Sequence, residues 1–219
     1  MASYFNLTLD TLAPSGVSIT INEGAQYTTT AEVQLTIGCS DGDKTGYQMK
    51  IWGISGATTE SAASWETFSA SKVVTLPGSD GLKTVYVKVR DDVYNESSAA
   101  SDSITLNTAV PAVTITGPDV TRISKVSPKN VAAFSFVADC DFVEYKVKVV
   151  PSISSLESAG TTIATKNGST NMSATGSFSA STSISCTING ADLETASSGD
   201  GSKIIKVFVK NTAGTWSQA

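Results

Sequence analysis

Two well-separated stretches of the chain carry the same strict alternation. Val33, Leu35, Ile37 and Cys39 fall on one side of an extended backbone, with Glu32, Gln34 and Thr36 on the other. Phe134, Phe136, Ala138 and Cys140 repeat that face. A two-residue period is the signature of a strand with one buried face, and a helix cannot satisfy it. The duplication continues along the chain. Tyr47, Met49 and Ile51 alternate with Gln48 and Lys50, as Tyr145, Val147 and Val149 do with Lys146 and Lys148. The segment "DGLKTVYVKVRD" at 80–91 returns as "DGSKIIKVFVKN" at 200–211, and "FSAS" occurs at 68–71 and 178–181. The chain therefore reads as two divergent copies of one strand-rich domain.

Turn signals such as "SDGDKTG", "LPGSDG" and "SSGDGS" separate the strands, and no segment sustains a helical period. This spacing predicts an all-β chain of two tandem immunoglobulin-like antiparallel β-sandwiches, each of about seven strands. The expected organisation is an N-terminal arm over 1–10, a first domain over 11–108 and a second over 109–219. Val33, Leu35, Ile37, Val85, Val87 and Val89 are the expected core of the first. Phe134, Phe136, Val147, Ile205, Val207 and Val209 are that of the second. The stretch 152–177 is the poorest in apolar residues and reads as a long loop or weak edge strand.

Charge and cysteine content narrow the function classes. Charged residues make up only 16% of the 219 and the net charge is −5, with no basic stripe to meet phosphates, so nucleic acid is not an expected partner. No apolar run approaches the roughly 20 residues of a membrane helix, and the N-terminus has no signal-peptide pattern. Cys39, Cys140 and Cys186 lack metal-ligand spacing. They read as reduced thiols on apolar strand faces, with a Cys140–Cys186 bridge as the alternative.

At the level of motifs, "DTLAPSGVSITINEGAQYTTTAEVQLTI", "YQMKIW", "WETFSASKVVTL" and "DGLKTVYVKVRD" resemble a bacterial and phage immunoglobulin-like repeat. The resemblance covers 7–106. The second half keeps the strand pattern and the late hairpin but lacks the Ile-Asn-x-Gly-Ala segment and the Trp. The resemblance implies modular surface or virion proteins without catalytic activity, and it places Trp65 in core packing.

Candidate sites are few. There is no histidine, the commonest general base, and no nucleophile elbow or phosphate loop. No enzyme activity and no cofactor are expected. Asp41, Asp43, Asp91 and Asp92 are candidate calcium ligands; the plainer reading is that they build turns. Trp52, Trp65 and Trp216 are the candidate platform for a host-surface glycan. Tyr86 and Phe208 are placed on outer sheet faces beside Lys88, Arg90, Lys206 and Lys210, as partner-binding residues.

The arm is the other partner-binding candidate, through Tyr4, Phe5, Leu7 and Leu9. Residues 5–14, "FNLTLDTLAP", closely copy "DSITLNTAVP" at 102–111, which holds the last strand of the first domain. The second domain shows no such strand after "VKNTAGTWSQA". Three readings stand side by side. Leu7 to Asp10 is the first strand of domain one, with domain two closed by "GTWSQA" or left with a short edge, or it is an arm that adds to a sheet edge of another virion protein, or it completes domain two of a neighbouring copy in a homo-oligomer. The function expected is a bacteriophage virion structural protein that folds in the host cytoplasm. A capsid decoration protein leads; a neck or tail-surface subunit and a carbohydrate-binding adhesin are the alternatives.

Overall fold

The computed structural model describes residues 3–218. The chain divides between Thr108 and Ala109 into two compact units. Both are immunoglobulin-like antiparallel sandwiches.

The first unit has eight strands: β1 (Ser18–Ile21), β2 (Tyr27–Thr28), β3 (Glu32–Gly38), β4 (Gln48–Trp52), β5 (Glu66–Thr67), β6 (Ser71–Thr75), β7 (Gly81–Arg90) and β8 (Ala100–Leu106). One sheet runs β1-β3-β6 and the other β2-β8-β7-β4-β5. The alternation of β3 becomes a burial pattern, with Val33, Leu35 and Ile37 buried and the polar residues between them exposed. The facing sheet contributes Met49, Ile51, Val85, Val87, Val89, Ile104 and Leu106 to the same core. Gly53 ends β4 at φ +82°, and a Cβ there would sit 2.1 Å from the Thr84 carbonyl oxygen. Only glycine fits so close to the neighbouring strand.

Within this unit β8 is held on both edges. It pairs antiparallel with β7, Ile104 opposite Lys83 and Leu106 opposite Gly81. It pairs parallel with β2 through Thr105 and Leu106. Its end is clasped by Asp80, whose carboxylate accepts from the Thr108 N–H and hydroxyl, both at 2.9 Å.

The second unit has seven strands: β9 (Val113–Thr116), β10 (Val131–Ala138), β11 (Phe142–Val150), β12 (Thr161–Thr162), β13 (Ser173–Phe178), β14 (Ile184–Asn189) and β15 (Ile204–Asn211). One sheet is β14-β10-β9. In the other, β11 pairs with β15 along one edge and with β13 and β12 along the other. Phe134, Phe136, Val147, Val207 and Val209 are buried in the core between them, and Ile205 packs against it. An aromatic group fills the centre. Phe136 meets Tyr145 edge-on with ring centroids 5.2 Å apart, and Phe142 stacks on Phe178 at 4.8 Å.

One feature of this unit departs from the sequence reading, and a second gives the loop-or-edge-strand reading of 152–177 its detail. Among the described residues one α-helix, α1 (Gly190–Ala196), follows β14, its N-terminus capped by the Asn189 carboxamide accepting from Ala191 N–H at 2.9 Å. Seven residues with a good cap need no long apolar period. The poorly apolar stretch 152–177 contributes β12 and the start of β13, and buries Ile163 and Met172 completely. At its start, residues 151–160 lie across the outer face of the β11–β15 pair. Lys206 Nζ donates to the carbonyls of Ile153 and Ser155 at 2.9 and 2.8 Å, and Lys146 Nζ to Glu157 at 2.8 Å.

Candidate functional site

The predicted partner-binding residues separate into two groups. Tyr4, Phe5, Leu7 and Leu9 lie in no strand and are 84–91% exposed. The reading in which Leu7 to Asp10 is the first strand of domain one is therefore corrected: that strand is β1, and Leu7 to Asp10 pair with no strand. Met1 and Ala2 of the arm lie outside the described residues. Asp10 accepts from its own Leu12 N–H at 3.0 Å, and its carbonyl from Asn95 at 3.4 Å, so the exposed stretch is tied down only where it enters the unit.

Of Tyr86 and Phe208, each in its own unit, Tyr86 is accessible at 36% exposure and Phe208 is not. Phe208 is 0% exposed, because the 151–160 segment covers its face of the sheet and Lys206 lies 5.0 Å from its ring centre. Tyr86 stands opposite Trp52 across β4 and β7 and stacks on it at 5.3 Å. The cations beside them are occupied. Lys88 pairs with Glu60 at 2.7 Å, Arg90 donates to Gln48 at 2.7 Å, and Lys210 lies 3.5 Å from Glu144. Pairing of this kind, cross-strand for Arg90 and Lys210, satisfies an outer face from within the unit.

The tryptophans are likewise engaged. Trp52 is buried under Tyr86. Trp65 lies outside the core, a correction to the expectation from resemblance, beneath Lys50 and Arg90 at 4.8 and 4.4 Å. Trp216 lies beneath Lys146 at 4.7 Å. Trp65 and Trp216 thus each have a ring face against cations of their own unit.

Asp43 and Asp91 build turns, and Asp41 ties two separate segments together. Asp41 accepts from the Ser15 hydroxyl and N–H and from Tyr47, and the Ser15 bond is foremost in holding its carboxyl below the usual range. Asp43 accepts from Thr45, and Asp91 from the N–H groups of Val93 and Asn95. Among the described residues no group of three or more His, Cys, Asp or Glu side chains is placed to hold a metal. Cys39 and Cys140 are only half-buried, because β3 and β10 end before reaching them. Cys186 is buried opposite Phe134, and burial pushes its thiol up to about 12. All three are free thiols.

One feature was half visible in the sequence. β15 matches β7, yet among the described residues no strand runs along its outer edge where β8 runs along β7. A groove of about 860 Å³ opens there, lined by Gly201, Lys203 and Ile205 on one side and by Ile115, Val120 and Ile123 on the other. Ile115 and Val120 are 42% and 41% exposed. Residues 117–130, which take the place of β2, form no strand either; in the first unit β2 pairs with β8 alone.

The fold and these surfaces define a class: a tandem immunoglobulin-like protein with an unpaired apolar arm at one end of the chain and an open sheet edge in the second unit. No family model matches the chain, and no curated protein matches it. It is distantly similar in structure to fibronectin(III)-like modules of CbhA from Clostridium thermocellum, at 10% identity and a TM-score of 0.45, covering 91% of this chain and 89% of that one. It is also similar to chitinase ChiA74 from Bacillus thuringiensis (12% identity, TM-score 0.32), covering 92% of this chain and 30% of that one. The D00-D0 domain of intimin matches at 15% identity and a TM-score of 0.30, covering 92% and 96%.

Proposed function

We propose that the chain is a non-enzymatic structural protein of a bacteriophage particle, a capsid decoration protein that displays its two sandwiches and attaches through its N-terminal arm. The observation that supports attachment is the exposure of Tyr4, Phe5, Leu7 and Leu9 in one unpaired segment. Burying such side chains on a partner stabilises by about 1.5–3 kcal/mol each, and an extended segment adds backbone bonds to a sheet edge. The phage setting rests on the motif resemblance over 7–106. Labelling purified particles with antibodies against the chain, viewed by electron microscopy, tests it. Label over the capsid surface is expected. Label confined to the neck or tail replaces decoration with the competing location, and unlabelled particles end the virion reading.

A further inference from the structure

We propose that Asn167 is a site of spontaneous deamidation, and that loss of its amide loosens residues 165–172 from α1 and β14 in the second unit.

The dipeptide Asn-Gly occurs twice, at 167–168 and at 189–190. Asparagine is a thermolabile residue, and a following glycine has no Cβ to keep its backbone nitrogen away from the carboxamide. The Gly168 nitrogen attacks Cγ of Asn167. A C–N bond forms, the Cγ–Nδ2 bond breaks, and ammonia leaves with the proton of the Gly168 nitrogen. Water then opens the cyclic imide at either carbonyl. One product is aspartate. The other is isoaspartate, which carries the former side-chain CH2 in the main chain.

The fold treats the two copies differently. Asn167 and Gly168 are exposed, in a turn outside any strand or helix. Gly168 stands at φ +104°, and a Cβ there would meet only the Asn189 carboxamide, at 3.2 Å. Its N–H donates to the Lys166 carbonyl, within the same exposed turn, so water reaches the Asn167–Gly168 peptide. Asn189 is only 5% exposed, and Gly190 begins α1. There the Gly190 N–H donates to the Asn130 carbonyl at 2.8 Å, and the Asn189 carboxamide accepts from Ala191 N–H at 2.9 Å. The Ser124 carbonyl oxygen lies 2.0 Å from where a Cβ of Gly190 would be. Both reacting groups of this second copy are engaged in a crowded, buried helix start.

The consequence at 167 follows from what its amide holds. Asn167 Nδ2 donates to Asp192 Oδ1 at 2.9 Å, and Ser169 N–H donates to Asp192 Oδ2 at 3.3 Å. These are the donors to Asp192 among the described residues, and Asp192 is 1% exposed. Deamidation removes the closer donor and puts a second carboxylate in its place. Two carboxylates that share a site repel, and a buried acceptor deprived of its donor is costly. The bonds that follow directly on the altered turn are the ones at risk. Ser169 Oγ accepts from Asn189 N–H at 2.8 Å, Thr170 exchanges backbone bonds with Thr187 at 2.9 and 3.2 Å, and Asn171 Nδ2 donates to the Ser185 carbonyl at 2.6 Å.

The full chain is incubated at mildly alkaline pH, once folded and once in denaturing urea. Fragmentation mass spectrometry of the peptides covering 167 and 189 then locates aspartate and isoaspartate. In the folded chain, conversion is expected at 167 with 189 unchanged. In urea both are expected to convert at similar rates, because the fold alone separates them. In parallel, Asn167→Asp, the mimic of one product, is melted beside Asn167→Ala, which removes the donor without adding charge. The fluorescence of Trp216 follows the second unit. Asn167→Ala is expected to melt below the parent, and Asn167→Asp lower again by roughly 4–8 °C. A folded chain that converts at 189 as fast as at 167, or that keeps both amides while the urea sample loses them, overturns the site. An Asn167→Asp variant that melts with or above Asn167→Ala overturns the loosening.

Discussion

Val87→Asp is expected to unfold the first unit and leave the second folded. Val87 is 0% exposed and lies between Ile51 on β4 and Ala100 on β8, at the centre of the five-stranded sheet. Its side chain faces Leu35 and the rest of an all-apolar core. A carboxylate there loses its water and finds no donor to replace it, a cost of several kcal/mol whether it ionises or is forced to stay protonated. That is a large share of the stability of a domain this size. Calorimetry of the parent should show the melting of both units. The variant should lose the transition of the first, and the signals of Trp52 and Trp65 should be those of unfolded chain at all temperatures. A variant that keeps both transitions would show that Val87 is not in the core.

The second large effect concerns the other unit. Phe136→Ala removes a ring that is 1% exposed and touches Tyr145 and Phe142, with centroids 5.2 and 6.4 Å away. Aromatic deletions of this kind cost about 3–5 kcal/mol, because the neighbours cannot close the hole. For a unit of this length that lowers its melting temperature by at least about 12 °C. Trp216 is the only tryptophan of the second unit, so its fluorescence follows that change without interference at wavelengths that excite tryptophan alone. A shift of less than a few degrees would mean that the cluster can repack around the gap.

What could be read from the sequence, and what could not, follows from the range of the forces involved. Val33, Leu35 and Ile37 announce their burial locally, because a two-residue period has one structural meaning. The same holds for Val85, Val87 and Val89 and for their counterparts in β15. Phe208 defeated that logic. It falls on the outer face by period, and it is buried because a distant segment is drawn over it by Lys146 and Lys206. No local pattern encodes a cover brought from fifty residues away in sequence. Trp65 failed for a related reason: its cations, Lys50 and Arg90, come from two other strands. Cys39 and Cys140 were in phase with a buried face, but each strand ends before the phase can matter. The arm was legible only through its likeness to β8. Composition alone makes Leu7 and Leu9 look like any other buried leucines.

The parallel pairing of β2 with β8 has a mechanical consequence. Tension along the chain enters the first unit ahead of β2 and leaves it beyond β8. Because these strands run in the same direction, the pull slides one along the other and loads their hydrogen bonds together. The bonds concerned run from Thr105 N–H to the Gln26 carbonyl at 3.0 Å and from Asn107 N–H to the Thr28 carbonyl at 2.9 Å. Among the described residues the second unit has no parallel pair, and its strands can be peeled apart one bond at a time. Stretched as an isolated chain, the second unit should yield at the lower force, a difference that single-molecule pulling reads as two separate rupture levels.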